Sequence, residues 1–235
     1  MKVLHLLGAA AVLALAVPGA ALAGPAYNWS GAYFGGQAGY GWSSTTSGPT
    51  TAFDDPEDAF VEGAFSYSGT GFIGGAEAGY NWQSGPLVIG LVGDVSAANI
   101  TGSVSNSVYN YTLSSTLNWL STARVNIGAP LGNLLVYGTG GIAFGNISST
   151  LNDFYADDGG TTITSNLNTN AVGWTVGAGI AAPVGHNWFV KAEYLYADLG
   201  TQNYSLSEPD PGWAQINGSN HTTANILRAS VDYKF

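Results

Sequence analysis

The chain has no cysteine among its 235 residues and few charged residues, and each shortage excludes certain structures or chemical activities. Without cysteine there is no disulfide, no thiol nucleophile and no cysteine-ligated metal. Charged residues make up 9% of the sequence, whereas they make up roughly 25% of an ordinary soluble domain. A soluble barrel needs polar side chains over its whole outer face, and the ionic groups here are too few to supply them, although serine, threonine and asparagine partly substitute.

Long apolar runs are also missing, apart from one at the start of the chain. Lys2 precedes an apolar run over residues 3–17, and a small-x-small cleavage pattern ends at Ala23. This pattern predicts a secretory signal peptide over residues 1–23, because the run is shorter than the ~20 residues of a membrane-spanning helix. The remaining domain, residues 24–235, has no such run, so membrane residence requires a β-barrel.

The stretch over residues 222–235 alternates with a period of two. Its apolar parity holds Leu227, Ala229, Val231, Tyr233 and Phe235, and its polar parity holds Arg228, Ser230, Asp232 and Lys234. This period predicts a strand with two unlike faces. A soluble barrel with an apolar inside and a membrane barrel with an apolar outside give the same pattern, so the rest of the chain has to decide between them.

Similar alternation recurs along the chain and predicts eight strands. They cover about residues 32–44, 68–83, 87–100, 113–129, 134–149, 170–182, 188–199 and 222–235. Between them, three short turns alternate with four long polar connections. The turns cover residues 84–86, 130–133 and 183–187, and the long connections cover about residues 54–62, 101–112, 150–169 and 200–221. Outer-membrane barrels show this asymmetry, and soluble barrels have no reason to keep it. We predict an all-β fold: an eight-stranded antiparallel up-and-down transmembrane β-barrel with four long extracellular loops and three short periplasmic turns.

The predicted strands contain four basic and four acidic residues, all on the parity opposite the apolar face. They are Glu77, Asp94, Arg124, Lys191, Glu193, Arg228, Asp232 and Lys234. A basic side chain facing lipid at mid-membrane costs roughly 2–4 kcal/mol, so we predict that all eight point inward and form a structural charge network in the lumen. Because an isolated buried charge is costly, we expect pairs between neighbouring strands. The expected pairs are Asp94 with Arg124, Glu193 with Arg228, and Lys191 with Asp232.

The other eleven acids lie in the long connections or at their edges, and the formal net charge is −10. An acidic protein of this kind is a poor partner for nucleic acid. No loop has the spaced acidic pattern of a calcium site, so we predict neither a metal site nor a cofactor. The aromatic residues of the strands predict two girdles at the membrane interfaces. Trp42 and Phe72 are assigned to the outer girdle, and Phe34, Trp82, Trp188, Tyr233 and Phe235 to the inner one.

Several short motifs carry a family resemblance. They are Trp29-Ser30-Gly31-Ala32-Tyr33-Phe34-Gly35-Gly36, the Ala-Gly-Tyr-x-Trp strand ends at 38–42 and 78–82, Tyr137-Gly138-Thr139-Gly140-Gly141 and the terminal Tyr233-Lys234-Phe235. With them the chain resembles the small outer-membrane β-barrels of alphaproteobacteria, the porin-family or outer-membrane immunogenic proteins related to the OmpA transmembrane domain. In that family Phe235, with Tyr233 and Val231, resembles the signal read by the barrel-assembly machinery.

The resemblance implies an outer-membrane location. The implied partners are outer-membrane lipid and lipopolysaccharide and, during biogenesis, the assembly machinery and periplasmic chaperones. It brings no catalytic motif. We therefore predict a structural, surface-exposed envelope protein without catalytic activity.

Two alternative functions stay open at this point. The first is a small porin or a channel that binds a haem-like ligand or an ion. The interior of an eight-stranded barrel is about wide enough to be filled by side chains, which favours the structural function. The second is a lipid-modifying enzyme that uses a histidine and serine pair. Of the two histidines beyond the signal peptide, His186 falls in a short turn and His221 at the end of a long loop, so His221 is the candidate.

Overall fold

The computed structural model of the chain describes residues 27–48, 50–53, 59–62, 65–106, 111–155, 161–207 and 215–235. The predicted signal peptide, residues 1–23, lies outside the described residues. Ten strands are present in these ranges: β1 (Gly31–Ser47), β2 (Thr50–Phe53), β3 (Ala59–Glu62), β4 (Phe65–Ser84), β5 (Leu87–Asn106), β6 (Tyr111–Leu131), β7 (Leu134–Tyr155), β8 (Thr161–Pro183), β9 (Trp188–Ser207) and β10 (Gln215–Lys234). Within the same ranges, no helix is long and apolar enough to cross a membrane.

Eight of the ten strands form a closed antiparallel barrel, which confirms the predicted fold. Each strand from β4 to β10 pairs with the next one along the chain, and β1 pairs with both β4 and β10, so the sheet closes on itself. The two short strands β2 and β3 pair with each other as a hairpin just after β1. This hairpin lies against β10, where Ile216 is opposite Ala52. Closure leaves no open edge along the membrane-crossing part of the barrel.

The barrel strands are longer than the sequence predicts. They contain 17 to 23 residues, whereas a tilted strand crosses the hydrocarbon layer in about 9–11 residues. β5 continues to Asn106, β8 begins at Thr161 and β9 continues to Ser207, all inside stretches predicted as loops. Serine, threonine and asparagine hide the period of two, but a backbone ladder does not require apolar side chains. The predicted loop residues 54–58, 107–110, 156–160 and 208–214 lie outside the described residues.

The three short connections fall where the sequence predicts turns. They occupy residues 85–86, 132–133 and 184–187. Gly85 and Gly132 have φ angles of 58° and 65°, in the left-handed region that glycine enters without a steric penalty. These turns, the first described residues before β1 and the C-terminal Phe235 share one end of the barrel, here called the turn end. The opposite end, which β2 and β3 adjoin, is here called the loop end.

The faces of the strands are oriented as predicted, with one exception. Large apolar side chains such as Phe72 and Val95 are exposed on the outside, whereas Glu77 and Arg124 are buried inside. The exception is Leu117 of β6. Its position in the sequence has the same parity as the outward-facing Trp119 and Val125, which predicts an outward side chain, but Leu117 is 3% exposed inside the barrel. A register shift between Leu117 and Trp119 in the β6–β7 pair explains the difference. Such a bulge adds one residue to one strand, and the residues on its two sides then face in different directions from those that strict alternation predicts.

Exposed aromatic rings cluster at two levels of the outer wall. At the turn end the rings of Trp188 and Tyr233 lie 5.1 Å apart, and Phe235 lies 5.2 Å from Tyr233. Nearer the loop end the ring of Trp42 lies 6.3 Å from that of Tyr194. The two levels have the positions expected of girdles at the two interfaces of a bilayer.

The barrel interior as candidate functional site

Four charged side chains form a closed ring of alternating sign at mid-height in the lumen, here called the charge square. β5, β6, β9 and β10 supply Asp94, Arg124, Glu193 and Arg228, one each. Arg124 lies 3.2 Å from Asp94 and 2.9 Å from Glu193. Arg228 lies 2.6 Å from Glu193 and 3.2 Å from Asp94. All four residues are at most 6% exposed, so each charge is compensated by two opposite charges where water does not reach.

The charge square is held by polar neighbours as well as by its own ion pairs. Thr122 donates its hydroxyl to Asp94 and accepts the Nε proton of Arg124. The hydroxyl of Tyr137 donates to Glu193 over 3.0 Å. Such partners matter because additional hydrogen bonds help to offset the cost of removing buried charges from water.

A second charged group, the lysine triad, lies nearer the turn end. It consists of Lys191, Glu77 and Asp232. The Lys191 Nζ atom lies 2.8 Å from Glu77 and 3.5 Å from Asp232, and it also lies 4.7 Å from the centre of the Tyr33 ring. Ser230 donates a hydrogen bond of 2.7 Å to Asp232.

Lys234 is the one predicted network residue that the structure places elsewhere. It is the last residue of β10 and lies beyond the final interior layer at the turn end. Its Nζ atom donates to the backbone carbonyl of Asn28 and lies 4.3 Å from the centre of the Tyr27 ring. The sequence predicts that four bases cancel four acids. Within the described lumen, three bases instead face four acids, and the extra acid belongs to the lysine triad.

All three predicted ion pairs are in contact, but half of the interior ion pairs join strands that are not neighbours. Arg124 of β6 reaches Glu193 of β9 across the lumen, although β7 and β8 separate the two strands. Lys191 of β9 reaches Glu77 of β4 in the same way. Adjacency along the sheet therefore predicts only part of the network.

Two apolar layers lie above and below the charge square, and the prediction from the sequence does not include them. The upper layer, towards the loop end, contains Ile73, Ile100, Leu117, Leu120, Ala143, Ile147, Ala171, Leu195, Ala197, Leu199 and Ile226. The lower layer, towards the turn end, contains Trp29, Tyr33, Val88, Val92, Leu135, Tyr137, Ala181 and Phe189. The sequence does contain a signal for the upper layer, because Leu195 has the same parity along its strand as Lys191 and Glu193, which are predicted to point inward.

Trp29 closes the turn end of the lower layer. It precedes β1 and is 1% exposed. Its ring lies 5.7 Å from that of Phe189 and 4.7 Å from that of Tyr27. Its backbone amide donates to the side chain of Gln83 over 2.8 Å. The segment before the first strand is thereby tied across the mouth of the barrel.

Glycines on the inner parity make room for the charged side chains. A Cβ atom on Gly35 would lie 2.2 Å from a carboxylate oxygen of Asp232, and one on Gly39 would lie 2.7 Å from the Cβ atom of Arg228. In an interior this narrow, a charged side chain on one strand has room only if the neighbouring strand has a glycine, which has no side chain, beside it.

The two candidate histidines lie outside the interior. His186 is exposed in the turn over residues 184–187. His221 lies towards the loop end on β10, where Nε2 is 3.4 Å from Asp198 and Nδ1 is 3.2 Å from the hydroxyl of Thr201. Among the described residues, no group of three or more histidine, cysteine or acidic side chains could hold a metal ion.

The fold agrees with what sequence comparison finds. Residues 7–235 match the family described as the outer membrane protein beta-barrel domain. The chain belongs to this family. It is 34% identical over 232 residues to the 31 kDa outer-membrane immunogenic protein of Brucella melitensis, a match that covers 96% of this chain and 92% of the relative. The protein is therefore an outer-membrane β-barrel, and its relative is an outer-membrane immunogenic protein, as the resemblance in the sequence implies.

Two solved structures share the fold of this outer-membrane barrel at low identity. The outer membrane protein OprG from Pseudomonas aeruginosa is 12% identical with a TM-score of 0.53, over 89% of this chain and 98% of that one. The outer membrane protease OmpT from Escherichia coli is 10% identical with a TM-score of 0.51, over 91% of this chain and 99% of that one. At such identities the likeness shows the fold alone.

Proposed function

We propose that the protein is a structural, surface-exposed barrel of the outer membrane whose lumen conducts no solute. The observation that carries this proposal is the layered interior. A solute crossing the lumen has to pass the upper apolar layer, the charge square with its four contacts of 2.6–3.2 Å, and the lower apolar layer. Barrels of eight strands are about wide enough to be filled by their own side chains.

A small cavity within the lower apolar layer also favours a closed lumen. A cavity of about 10 Å³ lies in the lower half, lined by Trp29, Tyr33, Phe189 and Lys191 among others. That volume corresponds to about one water molecule. It supports a closed lumen with an enclosed solvent site rather than a continuous pore.

Planar-bilayer recording of the refolded full chain tests this proposal. We expect silence, or rare brief openings, under conditions in which a sixteen-stranded porin gives steady currents. A channel would give steady openings of one size. The current through a channel would also change in Phe189→Ala, which removes an inward-facing ring. It would not change in Trp188→Ala, which removes an outward-facing ring at the neighbouring position.

We further infer that the barrel is not an enzyme. The relative named above is an outer-membrane immunogenic protein, and His221 contacts a carboxylate and a threonine hydroxyl rather than the serine of the alternative prediction. Assays for phospholipid and lipid A hydrolysis should give no product above a heat-denatured control. Hydrolysis that His221→Ala abolishes, with His186→Ala as the matched control, would establish the enzyme.

We also propose that the outward-facing aromatic edge at the turn end is read by the barrel-assembly machinery. Val231 and Phe235 are 51% and 77% exposed, and the rings of Tyr233 and Phe235 are in contact. Phe235→Ala should lower the amount of folded barrel in the outer membrane while leaving refolding in detergent unchanged. Phe34→Ala, at the same girdle, is the matched control, and equal losses in both variants would refute an assembly signal.

A further inference from the structure

The outer wall changes character abruptly above the upper aromatic girdle. On β7 the outward positions are Ile142 and Phe144, with Asn146 two residues later. On β8, Val172 faces outward, and the next outward residue towards the loop end is Asn170. Asn170 lies opposite Asn146 in the β7–β8 strand pair. Outward residues two apart on a strand are about 7 Å apart. The wall therefore passes from apolar to amide side chains within one step, at the same level on both strands.

Four asparagines and one serine form a hydrogen-bonded row across β6, β7 and β8 at this level. We call the row the amide ladder; its members are Asn118, Asn146, Ser148, Asn168 and Asn170. Asn118 donates to Asn146 over 2.9 Å and to Ser148 over 2.6 Å. Asn146 in turn donates to Asn168 over 2.6 Å and to Asn170 over 2.8 Å. The bulge that turns the side chain of Leu117 to the inside of the barrel also brings Asn118 to the outer face.

The ladder leaves hydrogen-bonding groups directed at the surroundings. Asn168 and Asn170 are exposed, and both use their carbonyl oxygen to accept from Asn146. No described side chain accepts from their Nδ2 groups. Trp119, 36% exposed, is the register partner of Asn146 and places an aromatic face at the same height. Fixed amide groups beside an aromatic ring suit the hydroxyl groups and apolar face of a sugar, because an amide both donates and accepts.

Positive charge is missing from the outward face of this region. The basic side chains of the described residues are Arg124, Arg228 and Lys191 inside the lumen and Lys234 at the turn end. A phosphate at the level of the ladder would thus have no cation to pair with, although Arg and Lys are the usual partners of phosphate. The chemistry of the ladder fits an uncharged headgroup.

We propose that the amide ladder binds the sugar headgroup of a glycolipid in the outer leaflet through hydrogen bonds, without help from its phosphates. The proposal rests on the proposed function, in which the loop end faces outward and lipopolysaccharide surrounds the barrel. The ladder then contacts the sugars directly above the acyl chains, and it binds them whether or not divalent cations bridge neighbouring lipids.

Binding of purified lipopolysaccharide to the full chain in lipid nanodiscs tests the proposal. The double variant Asn168→Ala/Asn170→Ala should lower the affinity about tenfold, as expected for the loss of two hydrogen bonds. The matched control Ser66→Ala/Ser68→Ala removes outward polar groups from β4, on another side of the barrel, and should change the affinity less than about twofold. Enzymatic removal of the lipid phosphates, or addition of a metal chelator, should have an equally small effect.

Three outcomes would overturn the proposal: equal affinity for both double variants, loss of binding on removal of the phosphates, or equal binding of phosphatidylethanolamine vesicles that carry no sugar. Gel mobility before and after boiling checks that each variant is folded, and both changes lie on exposed positions. The bilayer recording is independent of this assay. A silent barrel with an unaffected double variant refutes the ladder alone, whereas a conducting barrel refutes the sealed lumen alone.

Discussion

Glu193 accepts four interior hydrogen bonds and is paired with both arginines of the charge square, so its charge is an informative one to remove. It accepts hydrogen bonds from Arg124 over 2.9 Å, from two nitrogens of Arg228 over 2.9 and 2.6 Å, and from Tyr137 over 3.0 Å. The substitution Glu193→Gln keeps the shape and removes the charge. Two buried guanidinium groups then share the single carboxylate of Asp94.

Removing one partner of a buried ion pair costs about 3–5 kcal/mol, because the other charge stays buried without compensation. The two arginines belong to one network, so their losses do not add. We therefore expect Glu193→Gln to lower the free energy of unfolding by about 3–5 kcal/mol. Urea titration of the barrel in lipid vesicles, monitored by tryptophan fluorescence and by gel mobility, measures the change.

Two further variants separate the charge from other effects. Asp198→Asn is the same chemical change on the outer wall, where the pair with His221 is partly exposed, and it should cost at most about 1 kcal/mol. The double variant Glu193→Gln/Arg228→Met restores the charge balance and should be more stable than Glu193→Gln alone, with a coupling of about 1–3 kcal/mol. A loss below about 1 kcal/mol in Glu193→Gln, or no coupling, would refute the electrostatic account of the lumen.

The wall of the barrel supports two more predictions. Gly35→Ala should destabilise the barrel by about 1–3 kcal/mol, because the new Cβ atom collides with Asp232. Gly36→Ala should be neutral, because the nearest contact of its Cβ atom is a backbone oxygen 3.9 Å away. Equal unfolding midpoints of the two variants in urea would contradict this prediction. Leu91→Arg places a charge on the apolar outer wall and should cost about 2–4 kcal/mol, whereas Thr70→Arg, towards the loop end, should cost about 0–1 kcal/mol. Refolding yield and unfolding in vesicles of defined thickness check the difference, and similar costs at both sites would place the bilayer elsewhere on the wall.

The sequence predicts the faces of the strands well because that signal is local. The inward position of Arg124 and the outward position of Phe72 both result from a period of two and from the cost of a charge in lipid. Leu117 departs from the prediction because a bulge is a property of a strand pair and leaves no trace in the alternation of one strand. The long strand ends at residues 101–106 and 161–169 escape prediction because their serines, threonines and asparagines carry no hydrophobic contrast.

The order of the residues is enough to establish the class of the protein, since eight alternating stretches, inner charges and a shortage of surface charge already require a membrane barrel. Which charges meet is a property of the closed barrel, because contacts such as that of Arg124 with Glu193 join strands on different sides of the lumen. Closure also places Lys234 outside the lumen, seals the charges between two apolar layers and brings distant asparagines into one row. These features depend on strand number, tilt and register once the sheet has closed, and a pattern along a single strand contains none of the three.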